Sequence, residues 1–109
     1  MNKAVIFAQA SEPTRTHVTS LNAIAEVDEF DSPFAVEVLW FKERAGELDS
    51  EKLLAALEQR RIPYSYSDEV DALTFCFGSG TQSVGQKRAV LLMEFNGEAL
   101  IGLKLGERE

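Results

Sequence analysis

The chain has 109 residues, 45% of them hydrophobic and 27% charged, a length that fits one domain over residues 1–109 and excludes separate cofactor and substrate domains. Such an apolar content argues against intrinsic disorder. Eighteen acidic and eleven basic side chains give a net charge of −7, which disfavours direct binding to nucleic acid or to an anionic membrane surface.

The N-terminal segment, residues 1–8, carries one cation and a short apolar run, so it predicts a first strand and not a secretory signal. Apolar runs elsewhere fall well short of the roughly 18 residues that cross a bilayer. Cys76 is the only cysteine, so an intrachain disulfide is excluded. Together these features predict a cytoplasmic protein without a membrane partner.

Residues 11–30 fit two structures. Val18, Leu21, Ile24 and Ala25 have helical spacing, whereas the β-branched side chains around them favour a strand. We take the helix as the leading prediction for this segment, with the strand as its alternative.

The middle of the chain gives clearer signals. Aromatic and branched side chains predict a strand over residues 34–41. A helix is predicted over residues 51–61, with Asp49 or Ser50 as its N-cap and Pro63 beyond its end. Its apolar stripe of Leu53, Leu54 and Leu57 is narrow, which predicts packing on one surface of a sheet.

Two further strands are predicted after this helix. Residues 62–67 alternate large and small side chains, and Pro63 places this strand at a sheet edge or at a strand start. Residues 71–77 put Leu73, Phe75 and Phe77 on one face, with Cys76 buried between its aromatic neighbours.

The C-terminal part predicts a β-hairpin of residues 88–95 and 98–105 around Asn96 and Gly97, because Asn-Gly suits a type I′ turn. In that register one face carries Leu91, Met93, Phe95 and Leu100, and the other carries Val90, Leu92, Ile101, Leu103 and Leu105. Both faces are apolar, so we expect helices, a second sheet or another copy of the chain to cover them. The predicted fold is therefore α+β, with about five to six mainly antiparallel strands, one or two helices packed on the sheet and a C-terminal β-hairpin.

The acidic excess is confined to residues 1–71, which hold fourteen acidic and seven basic side chains. Acidic residues concentrate in two clusters, the first of Glu26, Asp28, Glu29 and Asp31 and the second of Asp68, Glu69 and Asp71. The aromatic side chains expected to reach the surface are Trp40, Phe41, Tyr64 and Tyr66, and the two tyrosines precede the second cluster on a predicted edge strand. The simpler interpretation is that the clusters are solvated loops and that the tyrosines pack in the core. The alternative is an acidic face with aromatic anchors for a basic partner. The candidate partner-binding residues are Glu26, Asp28, Glu29, Asp31, Tyr64, Tyr66, Asp68, Glu69 and Asp71.

The chemical motifs are weak, and we predict neither a catalytic residue, a metal site nor a cofactor. The Gly-rich loop from Gly78 to Arg88 departs from a phosphate-binding loop, because Gln86 stands where a lysine is needed and a strand follows in place of a helix. An inter-strand loop is the leading interpretation, and weak phosphate binding is the alternative. His17 and Cys76 are the one imidazole and thiol, far apart in sequence, and do not predict a catalytic pair.

The sequence therefore predicts a small acidic, non-enzymatic protein-binding module. The expected partner is a basic protein, such as a nuclease or another nucleic-acid-binding protein, and the expected role is that of an inhibitor or immunity-type protein. Two alternatives remain open: a homodimeric structural or assembly domain that pairs through its hairpin, and a weak phosphate-ligand binder that uses residues 78–88.

Overall fold

The computed structural model describes residues 1–9, 16–78 and 82–108. These residues form one antiparallel sheet of seven strands in the order β1-β7-β6-β2-β3-β5-β4, together with two helices. The α+β class is confirmed, and the strand count of five to six is corrected to seven. The elements in chain order are β1 (Ala4–Ala8), β2 (Thr16–Val27), β3 (Pro33–Leu39), α1 (Phe41–Ala45), α2 (Glu47–Gln59), β4 (Tyr64–Ser67), β5 (Ala72–Cys76), β6 (Gly85–Asn96) and β7 (Ala99–Glu107).

The hydrophobic core lies between the helices and one face of the sheet, which we call the inner face. Phe41 from α1 and Leu53 and Leu57 from α2 are completely buried against it. The strands contribute alternate residues, as the two-residue period of a pleated sheet requires. The main inner-face residues are Leu21, Ala23, Ala25, Val36, Val38, Leu73, Phe75, Ala89, Leu91, Met93, Phe95, Leu103 and Leu105.

The helix predicted over residues 11–30 is wrong wherever the structure describes that segment, because Thr16–Val27 is strand β2. Leu21, Ala23, Ala25 and Val27 are buried at every second position, a strand period that the two alanines disguised. All twelve residues of β2 pair with β6, so tertiary pairing overrides local helix propensity. Residues 11–15 lie outside the described part of the chain.

The strand predicted over residues 34–41 ends earlier, at Leu39. Trp40 has φ 52° and ψ 48°, a left-handed conformation that cannot continue a strand. Phe41 therefore turns into the core as the first residue of α1, and its side chain is 0% exposed.

Helix α2 begins at Glu47, one turn before the predicted start, with Gly46 as its N-cap at φ 84°. Neither Asp49 nor Ser50 caps the helix; the Ser50 hydroxyl donates to the Glu47 carbonyl inside the first turn at 2.8 Å. The predicted stripe is correct in position, because Leu53 and Leu57 are fully buried and Leu54 is half-buried.

The C-terminal hairpin is present, but its register differs from the predicted one. Asn96 pairs with Ala99, so the turn is formed by Gly97 and Glu98, with φ 60° at Gly97. Opposite Phe95, Ile101 is an extra residue that forms a β-bulge, and Leu103 consequently pairs with Met93. Leu103 and Leu105 therefore lie on the inner face, contrary to the prediction.

The two shorter strands agree more closely with expectation. Tyr64–Ser67 is an edge strand that starts directly after Pro63, and Ala72–Cys76 pairs with both β4 and β3. Cys76 is exposed on the face away from the helices, so the prediction of a buried thiol is wrong. In the described residues, neither helix has the length and apolar character needed to cross a membrane.

Candidate functional site

The two predicted acidic clusters lie at opposite ends of strand β3. The first occupies the turn between β2 and β3, where Val27 pairs with Pro33. The second occupies the turn between β4 and β5, near the pairing of Leu39 with Ala72. The seven residues of β3 separate these ends by roughly 20 Å at the usual rise of a strand. The clusters therefore do not form one continuous acidic face.

Two carboxylates of the first cluster, those of Asp28 and Asp31, stabilise the turn and the N-terminus beside it. The Asp28 carboxylate accepts hydrogen bonds from the backbone N–H groups of Phe30 at 2.9 Å and Ser32 at 3.0 Å, which closes the turn. The Asp31 carboxylate lies 2.6 Å from the Met1 amino group, and this hydrogen bond lowers the pKa of Asp31. Glu29 is exposed, while Glu26 is half-buried on the sheet face away from the helices.

In the second cluster, Asp71 caps helix α1 from a distance in sequence. Its carboxylate accepts from the backbone N–H groups of Lys42 at 3.0 Å and Glu43 at 3.2 Å, and from the Tyr66 hydroxyl at 2.5 Å. Trp40, at the N-cap position, supplies no side-chain cap. Burial raises the pKa of Asp71, but the three hydrogen bonds and the charge of Lys42 together outweigh it, and the pKa lies below its usual value.

Tyr64 and Tyr66 face the helices and do not project from the surface as the predicted aromatic anchors. Both are half-buried against the core, and their hydroxyls donate to Glu58 at 2.6 Å and Asp71 at 2.5 Å. The Lys42 ammonium lies 5.0 Å from the centre of the Tyr66 ring. These contacts assign the two tyrosines to the packing of β4 on the helices.

The hydrogen bond to Asp71 has a consequence at alkaline pH. It raises the pKa of Tyr66 from 10.0 to about 12, with smaller contributions from burial and the nearby carboxylates. The folded state therefore retains a proton that the unfolded state releases, so we expect the free energy of unfolding to fall as pH rises from about 10 to about 12. Urea titrations across this range measure the loss. The Tyr66→Phe variant should lose less unfolding free energy between these pH values. If the free energy of unfolding fell equally steeply with pH in the wild type and in this variant, the raised pKa of Tyr66 would be contradicted.

Trp40 reaches the surface at the start of α1, where its side chain is 52% exposed. It borders a shallow depression together with Glu43, Glu69 and Val70, and Val70 is 61% exposed. We call these four residues the Trp40 patch. The Arg44 guanidinium lies 5.4 Å from the centre of the Trp40 ring, on the next turn of the chain. The patch combines an apolar centre with two exposed carboxylates from different elements.

Comparison with known proteins gives no match: no family model, curated protein or solved structure matches this chain.

The other candidate groups lie apart from this patch and from one another. Lys87 and Arg88 are neighbours in β6 and consequently face opposite sides of the sheet, so they cannot hold one phosphate together. Ser79, Gly80 and Thr81 of the Gly-rich loop lie outside the described residues. His17 stacks on Phe95 on the inner face with Nε2 3.5 Å from Asp49, whereas Cys76 lies on the opposite face. In the described ranges no three His, Cys, Asp or Glu side chains gather as metal ligands.

The predicted partner-binding residues include Glu69 but not Trp40, Glu43 or Val70. Trp40 was predicted at the end of a strand and, with Phe41, Tyr64 and Tyr66, as an aromatic side chain that reaches the surface. Trp40 does reach it, whereas Phe41 is fully buried. The available signal was the polar sequence that follows Phe41, which departs from strand alternation and starts α1. Asp71 gave no local signal as a helix cap, because it lies 29 residues after Lys42 in the chain.

Proposed function

We propose that this chain is a non-enzymatic protein-binding module that docks on a basic protein through the Trp40 patch. The observation that carries the proposal is a half-exposed tryptophan beside the exposed Val70 and the carboxylates of Glu43 and Glu69. Tryptophan is among the side chains that dominate binding energy at protein interfaces, and a rim of acidic groups favours a basic partner.

The backbone at Trp40 supports this proposal. A left-handed conformation costs a non-glycine residue roughly 1 kcal/mol, and glycine or asparagine satisfies it more readily. The Trp40 side chain is not buried in the core, so core packing does not compensate for this strain. Binding through the indole accounts for a tryptophan at a position where the backbone favours a smaller residue.

Charge indicates the class of partner. The chain has a net charge of −7. Around the patch, the carboxylates of Glu43, Asp68 and Glu69 outnumber two cations, Lys42 beside Asp68 and Arg44 beside Trp40. Proteins that bind nucleic acid carry clustered lysine and arginine, which complement such a surface. As an inhibitor or immunity-type protein in the cytoplasm, the chain would cover those cations and exclude the nucleic acid.

The first test is affinity capture at low salt from nuclease-treated lysate of the native host, comparing the wild type with Trp40→Ala and Glu69→Lys. Loss of a buried interface tryptophan reduces affinity about tenfold or more, and Glu69→Lys places a cation opposite a basic partner. We therefore expect both variants to lose one basic partner that the wild type retains. Glu29→Lys is the matched control, because it makes the same charge change in the turn at the other end of β3. This control should retain the partner.

The purified partner then allows the association rate to be measured against salt concentration. A steered encounter predicts a rate that falls as salt rises, and a smaller salt dependence for Glu69→Lys than for Glu29→Lys. Equal capture by the wild type and Trp40→Ala, or an association rate independent of salt, would contradict docking through this patch.

A further inference from the structure

The sheet has a second large surface, the face away from the helices, which we call the outer face. Both helices pack on the inner face, so in the described part of the chain no helix covers the outer face of β2 and β6, although Trp40 and Arg44 border it beside Asn22 and Ile24. It nevertheless carries apolar side chains: Val18 is 59% exposed, and Ile24, Val90 and Leu92 are half-buried. Antiparallel sheets that face water on one side normally present polar residues there.

The outer-face residues of β6 follow a self-complementary order. From Arg88 through Val90 and Leu92 to Glu94, the strand presents a cation, two apolar groups and an anion. A two-fold axis that crosses the strand between Val90 and Leu92 reverses this order in a second copy. Arg88 then faces Glu94 of the second copy, and Val90 faces its Leu92.

Strand β2, the neighbour of β6, follows the same symmetry. Its outer-face residues are apolar at the two ends, Val18 and Ile24, and polar in the middle, Ser20 and Asn22. Val18 pairs with Glu94 of β6, Ser20 with Leu92, Asn22 with Val90 and Ile24 with Arg88. The axis that relates Val90 to Leu92 therefore also relates Asn22 to Ser20 and Ile24 to Val18. An isologous interface requires this kind of pattern, because each residue must suit its symmetry mate.

The charge of the outer face also differs from that of the whole chain. In the described part of the chain, the strands of this face and Arg108 carry three acidic and three basic side chains, and Arg44 borders the face, so the face has no acidic excess although the chain carries −7. The six side chains are Glu26, Glu37, Glu94, Arg88, Lys104 and Arg108. The face therefore has no negative charge excess to attract a strongly basic partner. A second copy of the same face, in contrast, offers opposite charges at symmetry-related positions.

We propose that the chain forms an isologous dimer through the outer face, with β6 of one copy lying antiparallel across β6 of the other. Two sheets packed in this way align within about 30° of each other and lie about 10 Å apart. The two-fold axis generates the Arg88 to Glu94 pair twice and places Val90 and Leu92 of both copies at the centre.

A charge exchange tests the proposal directly. Sedimentation velocity from micromolar to millimolar concentration should show that the wild-type chain forms a dimer. Arg88→Glu and Glu94→Arg each place like charges opposite each other twice, so each should weaken the dimer about tenfold or more. The double variant exchanges the two charges, restores both opposite-charge contacts and should regain most of the affinity.

Lys87→Glu is the matched control, since it makes the same charge change one residue away but on the other face of the sheet. It should dimerise like the wild type, and circular dichroism of every variant checks that the fold is retained. A wild-type chain that stays monomeric throughout, or a double variant as weak as the single variants, would overturn the proposal. Trp40 borders the outer face beside Asn22 and Ile24, so partner capture is also measured with Arg88→Glu. Capture that persists in this variant while dimerisation is lost separates the dimer face from the Trp40 patch.

Discussion

Replacement of Phe41 by alanine is expected to lower the free energy of unfolding by about 3–5 kcal/mol, as truncation of a buried aromatic side chain usually does. Phe41 is 0% exposed, and its ring makes an edge contact with Tyr66 at 6.1 Å between centroids. The truncated side chain leaves a cavity between α1 and the sheet. Urea denaturation followed by circular dichroism measures the change.

Phe30→Ala is the control for this measurement, because Phe30 is 75% exposed in the turn between β2 and β3. An exposed substitution of this kind changes the free energy of unfolding by about 0.5 kcal/mol or less. If the two variants proved equally stable, Phe41 could not be the buried anchor of α1.

Replacement of Asp71 by alanine should lower the free energy of unfolding by about 2 kcal/mol, because two backbone N–H groups in the first turn of α1 and the Tyr66 hydroxyl lose the carboxylate that accepts their hydrogen bonds. Asp71 also has φ 52°, a conformation that aspartate and asparagine tolerate better than alanine. Asp71→Asn keeps one acceptor oxygen and should cost less. Thermal and urea denaturation of both variants give the comparison.

Asp68→Ala serves as the control in the same turn, since the Asp68 side chain is 88% exposed and its nearest cation, Lys42 Nζ, is 3.6 Å away. Surface pairs of this kind contribute about 0–1 kcal/mol. If Asp68→Ala and Asp71→Ala lowered the free energy of unfolding equally, the capping role of Asp71 would be contradicted.

The elements that could be predicted from sequence are those whose signals are local. Helix α2 has a leucine stripe, and the C-terminal hairpin has two apolar runs around a glycine turn. Local patterns of this kind determine the type of element, although its ends shift by a few residues. Helix α2 begins at Glu47, earlier than predicted, because Gly46 with its positive φ closes the short connection from α1.

The elements that could not be predicted depend on distant partners. Strand β2 is defined by its pairing with β6, whose residues lie from 58 (Val27 with Gly85) to 80 (Thr16 with Asn96) positions later in the chain. The bulge at Ile101 is equally invisible in sequence, yet it moves Leu103 and Leu105 to the inner face.

For the candidate site, sequence located the acidic residues but not their roles. The turn at Asp28 and the cap at Asp71 each use a carboxylate that had been assigned to partner binding. The structure therefore uses three of the candidate carboxylates in stabilising contacts, those of Asp28, Asp31 and Asp71. Glu69 is the candidate residue that belongs to the Trp40 patch. Whether an acidic group is exposed or bonded to the backbone depends on tertiary structure, which composition does not encode.

The position of Trp40 also means that the intrinsic tryptophan fluorescence of the protein reports on the Trp40 patch. Trp40 is the only tryptophan in the chain, and its indole is 52% exposed at the border of the patch. Fluorescence excited selectively at tryptophan therefore arises from this one surface position and not from the core. A partner that covers the indole transfers it from water to a less polar environment, so its emission shifts to shorter wavelength. Docking can accordingly be followed in the unlabelled wild-type protein, with any partner that lacks tryptophan.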